Sequence, residues 1–179
     1  MPAPEEEHAL RFGEDAELLD RVLRPYREHC KYLKSAVVTA STDPDTAPLT
    51  ARCEFEIPES CYIDDTGHFN AVEFNICYNQ MFYYVAAKAV LEKAAEPYAQ
   101  WTMDDYWRRQ LPNILITDFR SSFRRAMHGK RFYGEISFTR IHQRGSLLIN
   151  DTRCRYWDDG TGDCRGEVKV VITDAPAVG

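Results

Sequence analysis

FNAVEFNICYNQMFYYVAAKAVLEK, from Phe69 to Lys93, runs 25 residues without a proline or a glycine. Its apolar side chains (Phe69, Val72, Phe74, Ile76, Met81, Phe82, Tyr84, Val85, Val90 and Leu91) fall on nearly every face of a helix. A helix that is apolar all round is buried, either in protein or in lipid. Asn70, Glu73, Asn75, Asn79 and Gln80 are too many polar groups for a lipid environment, where each lacks a partner. The stretch therefore predicts a long helix at the centre of a protein core.

Outward from that helix the periodicity changes. Upstream, Leu18, Leu19, Val22 and Leu23 mark a short amphipathic helix within Asp15 to Cys30 that stops near Pro25. Ser35 to Ser41 and Leu49 to Ile57 are β-branched or alternating runs around the turn-rich segment 42–46, which predicts a hairpin. Downstream, a second short helix over Met103 to Gln110 precedes four more strand patterns: Ile114 to Phe123, Arg131 to His142, Leu147 to Tyr156 and Gly166 to Thr173. The last two are joined through Asp158 to Asp163. Parallel strands need helical crossovers, and none separates these four, so they are expected to run mainly antiparallel and wrap the buried helix. The fold class is α+β, with a hot-dog architecture over residues 14–179 as one domain and a flexible polar segment over 1–13.

Composition agrees with one domain: 179 residues with 44% hydrophobic and 12% aromatic content fill one core. A formal net charge of -6 argues against nucleic-acid partners, which need a cationic footprint. No window approaches the ~20 apolar residues that span a bilayer, and the acidic start MPAPEEEHAL lacks the basic, apolar opening of a signal peptide, so a cytoplasmic protein with no membrane partner is expected. The six cysteines form no CxxC pair and read as reduced thiols; the five histidines show no HxxxH or HExxH spacing, so no metal and no cofactor are expected. Residues 158–163 lack the alternating acids of a calcium loop and read as a hairpin turn.

The most informative stretch is ESCYIDDTGHFNAVE, residues 59–73, continuing through Asn75 and CYNQ at 77–80. With RPY at 24–26 and WTMDDY at 101–106, it resembles the FcoT-type fatty acyl thioesterases of actinobacteria across most of the chain beyond the first dozen residues. The resemblance extends to the isonitrile-lipopeptide branch of that chemistry. It implies addition of glycine to the β-carbon of a (2E)-enoyl group on an acyl carrier protein, then thioester cleavage to release a 3-[(carboxymethyl)amino] fatty acid. It also implies a homodimer or higher oligomer with the acyl pocket at the interface beside the central helix, and functional roles for Tyr26, Tyr62, Asn70 and Asn79. Two other readings remain beside it: a long-chain acyl-CoA thioesterase and a non-catalytic acyl-binding module. The AspxxxxHis motif of MaoC-type hydratases is absent around His68.

Addition at the β-carbon delocalises charge into an enolate, and hydrolysis places it on a tetrahedral oxygen, so one oxyanion hole serves both steps. Free N–H groups at the start of a buried helix suit that role, Gly67 lets backbone approach a ligand, and Tyr62 and Asn79 add side-chain donors. Each has an ordinary reading as well. Asn70 with Glu73 is a capping box. Tyr26 and Tyr62 are two of 10 tyrosines, most of which pack in cores. Asn79, mid-helix, needs a partner in the fold or in the ligand. Glu73 and His68 are the candidate acid–base groups, and Cys77 reads as an inert core thiol. Arg120, Arg124, Arg125, Lys130 and Arg131 crowd one part of an acidic chain, as a solvated strand edge or as a docking patch for an acyl carrier protein bearing an enoyl-phosphopantetheine. Acyl length, the glycine carboxylate's partner and the identity of the general base are not legible.

Overall fold

The computed structural model describes residues 9–179; positions 1–8 of the segment expected to be flexible lie outside the described residues. In chain order the elements are β1 (Ala9–Phe12), α1 (Ala16–Leu23), β2 (Leu33–Ser41), β3 (Leu49–Glu56), α2 (Ala71–Leu91), α3 (Met103–Arg109), β4 (Ile114–Arg125), β5 (Arg131–Arg144), β6 (Leu147–Trp157) and β7 (Asp163–Ile172). The strands form one sheet in the order β1-β2-β3-β5-β6-β7-β4, and every neighbouring pair is antiparallel. The sheet curls around α2, which gives the hot-dog arrangement. Residues 9–12, read from the sequence as part of the polar opening, instead form β1 against β2. Four residues with Leu10 and Arg11 exposed carry no alternation that a sequence reading could catch.

Alternation sets which strand face meets the helix. On β6, Leu148, Asn150, Thr152, Cys154 and Tyr156 are buried, and on β7 Cys164, Gly166, Val168, Val170 and Ile172 are. At the start of α2 an aromatic cluster closes the core: Phe69 and Phe132 have ring centroids 4.8 Å apart, and Phe74 and Tyr156 4.7 Å. Polar side chains on the helix find partners. Gln80 Oε1 accepts from the N–H groups of Tyr32 (3.0 Å) and Leu33 (2.9 Å), its Nε2 donates to Cys30 O (2.6 Å), and Tyr78 Oη lies 2.6 Å from Thr152 Oγ1. Lys88 Nζ is 2.7 Å from Glu92 and 3.4 Å from Asp15, the N-cap of α1, which ties α1 to α2. These bonds satisfy buried groups that would otherwise be costly and fix the helix's rotation about its own axis.

No helix among the described residues is long and apolar enough to cross a membrane. The sheet has two open edges, β1 and β4. β4 is the long one, at 12 residues, with Leu115 and Phe123 exposed.

Candidate active site

Everything the sequence marked between 59 and 73 falls on a loop over 57–70 and the first turn of α2. Gly67 takes φ +77, a left-handed conformation that glycine adopts without penalty, and its N–H donates to Asp65 Oδ1 at 2.8 Å. Thr66 O lies 3.1 Å from His68 Nδ1, so the loop closes on itself immediately before the helix.

Asn70 caps α2: its Oδ1 accepts from Val72 N and Glu73 N, both at 3.0 Å, and Glu73 Oε2 accepts from Asn70 N at 3.2 Å. The expectation of several free N–H groups at this helix start is therefore corrected. The reciprocal box takes up the N–H groups of Asn70, Val72 and Glu73, and Ala71 N–H is the donor of the first turn left without an internal partner among the described residues. Asn70 Nδ2 is also buried without a hydrogen-bond partner of good geometry, beside the Glu73 carboxylate. Two adjacent donors, one backbone and one side chain, thus lack a well-formed hydrogen bond among the described residues.

Glu73 is 5% exposed and lines a small cleft of ≈ 40 Å³ with Ile57, Glu59, Ser60, Asp65, Gly67, His68, His128, Gly129 and Lys130. Burial pushes its carboxyl pKa upward, and the Asp65 carboxylate adds to the shift, against the Asn70 N–H and His68, which lower it. The opposite wall is segment 127–130, held by Phe69 N donating to Met127 O (2.7 Å) and Ile57 N donating to Gly129 O (3.2 Å) and Lys130 O (3.1 Å). Lys130 Nζ lies 3.3 Å from Asp65 Oδ2. Asp65 is held below the usual carboxylate range by the Gly67 N–H and then by Lys130. His128 Nε2 is 3.8 Å from Asp158 Oδ2. Asp158 Oδ1 accepts from Gly160 N (3.0 Å) and Gly162 N (2.9 Å), so this carboxylate organises the turn between β6 and β7, as the sequence reading of a turn requires.

Tyr26 and Asn79 lie elsewhere. Asn79 is nine residues along α2 from Asn70, roughly 13 Å by the helical rise, on a half-buried stripe with Asn75, Ile76 and Tyr83. Its Nδ2 donates to Asn75 O (2.9 Å) and Asn75 Oδ1 (2.7 Å), so the partner its position demanded is in the fold. Tyr26 meets Tyr83 with ring centroids 6.5 Å apart, and burial, then Tyr83, Cys77 and Cys30, hold its phenol protonated. Tyr62 is 52% exposed, next to Cys61, whose thiol lies against those of Cys30 and the Tyr32 hydroxyl. Within one chain, then, the sequence-marked residues divide between the cleft (His68, Glu73) with the helix cap beside it (Asn70), and the helix flank (Tyr26, Asn79), with Tyr62 on the loop 57–70. Cys77 is fully buried and its thiol pKa is pushed well up by burial and then by Glu73, as an inert core thiol requires.

Of the basic residues, Arg124 and Arg125 line a groove with Arg155, Trp157 and Arg165 at the end of the sheet. Arg131 lies 3.9 Å from Glu56 at that same end. Lys130 stands apart, in the cleft. Sequence reasoning missed Ser60, Asp65 and His128 as cleft residues. They converge from separate segments through the hydrogen bonds of Met127, Gly129 and Lys130, and no spacing in the sequence signals that convergence.

The FcoT-like thioesterase domain model matches residues 21–172. The chain is 52% identical over 167 residues to a (2E)-enoyl-[ACP] glycyltransferase of Streptomyces coeruleorubidus, covering 90% of this chain and 99% of that protein. It is 35% identical over 164 residues to a protein of the same name from Mycobacterium tuberculosis strain H37Rv, covering 89% and 87%. Among solved structures, a candidate thioesterase from Shewanella oneidensis superposes with a TM-score of 0.52 at 14% identity, covering 90% of this chain and 100% of that one, which shows a shared fold.

Proposed function

We propose, for a chain that belongs to the FcoT-like thioesterase family, that it adds glycine to the β-carbon of a (2E)-enoyl group carried on an acyl carrier protein and then hydrolyses the thioester. The observation that carries the reading is the pairing at the start of α2 of two donors without a well-formed protein partner, Ala71 N–H and Asn70 Nδ2, with a buried carboxylate of raised pKa, Glu73. Donors fixed in advance stabilise charge as it develops, since they need no reorganisation. With the thioester oxygen on those donors, electron density drawn from the β-carbon makes it electrophilic toward an amine. The same donors then receive the oxyanion formed when water attacks the carbonyl carbon. Glu73 has the properties of the proton carrier: it is buried, and its pKa is moved toward the working range of a general base.

The arginines at 124, 125 and 131 fit an acidic carrier protein, and their place at the α2 end of the sheet suits delivery of an acyl arm to the cleft. Exposed Ile63 and Val72 offer apolar contact for the chain next to it. The half-buried flank of Tyr26, Asn79 and Tyr83, with exposed Tyr62, is assigned to the acyl group further from the thioester. A second copy pairing along β4, whose edge exposes Leu115 and Phe123, completes the site as a homodimer. The reaction is placed in the cytoplasm, with the carrier protein.

The test is the mass of the acid released from an enoyl-carrier substrate with and without glycine. The glycine adduct supports the reading. Release of unmodified enoic acid under both conditions reduces the protein to a thioesterase, and no turnover of any acyl thioester reduces it to an acyl-binding module.

A further inference from the structure

The proposed reaction leaves glycine without an anchor, and this inference rests on that reaction. Glycine brings an ammonium and a carboxylate one carbon apart, so its subsite has to offer both signs of charge within a small volume. We propose that the cleft at the start of α2 is that subsite, with Lys130 receiving the glycine carboxylate and Glu73 facing the ammonium.

Three features of the cleft carry this. Glu73 is buried and Lys130 lines the same ≈ 40 Å³ space, so opposite charges face one small cavity. Lys130 is held rather than free: its Nζ is 3.3 Å from Asp65 Oδ2, and Asp65 is in turn fixed by Gly67 N at 2.8 Å. An ammonium has three donors, and Asp65 engages one of them. Ser60 Oγ, also in the lining, is a buried hydroxyl with no partner among the described residues, as expected of a group awaiting a ligand.

The proton balance closes within the site. Glu73 takes one proton from the glycine ammonium, and the freed nitrogen lone pair forms the bond to the β-carbon. The π pair moves toward the α-carbon and the thioester oxygen, and Glu73 returns the proton to the α-carbon. Lys130 takes no part in that transfer; it determines which amine is accepted.

The test compares glycine with ethylamine, which has the same amine and no carboxylate, as nucleophiles toward one enoyl-carrier substrate. Wild type, Lys130→Ala and Lys130→Arg are measured. The Lys130 side chain is 61% exposed, so its truncation leaves the core intact. Losing a charge-assisted contact is expected to cut the glycine-over-ethylamine preference in kcat/KM by roughly 10- to 100-fold in Lys130→Ala, mainly through a higher KM for glycine, with Lys130→Arg keeping most of it. An unchanged preference in Lys130→Ala, with adduct still forming, overturns the subsite and leaves the reaction standing. Wild type that forms no adduct with either amine overturns both.

Discussion

Asn70 is at once a helix cap and a proposed donor to the thioester, and substitution can separate the two roles. Its Oδ1 accepts from Val72 N and Glu73 N, each at 3.0 Å; the first of these bonds is exposed and the second partly buried. In Asn70→Ala water replaces the cap at Val72, while Glu73 N is hydrated less well. The expected cost is therefore near the middle of the range for a lost N-cap, about 1 kcal/mol, or about 2–4 °C in Tm for a chain of this size. Asn70→Ser restores an oxygen acceptor, and serine caps about as well as asparagine, so stability returns to near wild type. The serine side chain is one bond shorter and has no amide, so the donor that Nδ2 supplies stays missing. If that donor polarises the thioester, both variants lose turnover alike, by ~10² to 10³. The assay is thermal unfolding in parallel with turnover of an enoyl-carrier substrate. An Asn70→Ser protein with wild-type turnover would leave Asn70 as a cap alone.

Glu73→Gln keeps an acceptor for Asn70 N but removes the titration. The folded pKa of Glu73 is raised above 4.5, so the stability linked to its proton is fully present below pH 4.5 and is lost as pH rises through the folded value. Wild-type Tm should accordingly fall relative to the Gln variant as pH climbs from about 4 into the neutral range, and parallel curves would show that Glu73 is not desolvated as described. A Cβ at Gly162 would lie 2.2 Å from Met127 Cβ and 2.7 Å from Asp158 Oδ2, so Gly162→Ala should cost about 1–3 kcal/mol by overpacking. It should also impair glycine addition by displacing segment 127–130, and a variant with native unfolding and native adduct formation would count against that wall of the cleft. Replacing Arg124 and Arg125 with Ala should weaken carrier-protein substrates more than short thioester mimics, since only the carrier presents an extended surface. Equal losses on both remove the docking role.

The fold was legible because its determinants are local. The apolar run of α2 and the alternation of β2 to β7 are each written within a dozen or two residues, and the antiparallel order followed from the lack of crossovers. β1 was not legible, since four residues, three of them exposed, gain their conformation only from pairing with β2. The site was half legible. Asn70 and Glu73 declare a capping box by spacing, but that the box would use up nearly all the N–H groups expected to bind an oxyanion follows only from geometry. Lys130 read as one member of a basic run, yet Asp65 draws it into the cleft from 65 positions away. Asn79, grouped with Asn70 by motif, is set apart from it by nine residues of helical rise, and Tyr26 packs beside Tyr83 on that flank.

Product partitioning against glycine concentration reads out whether one polarised carbonyl serves both steps. With an enoyl-carrier substrate and no glycine, slow hydrolysis to the unmodified enoic acid is expected. Added glycine should divert the flux to the 3-[(carboxymethyl)amino] acid in a saturable way, and the more so as pH rises and Glu73 and the amine lose their protons. Enoic acid as the sole product at every glycine concentration and every pH would contradict the account.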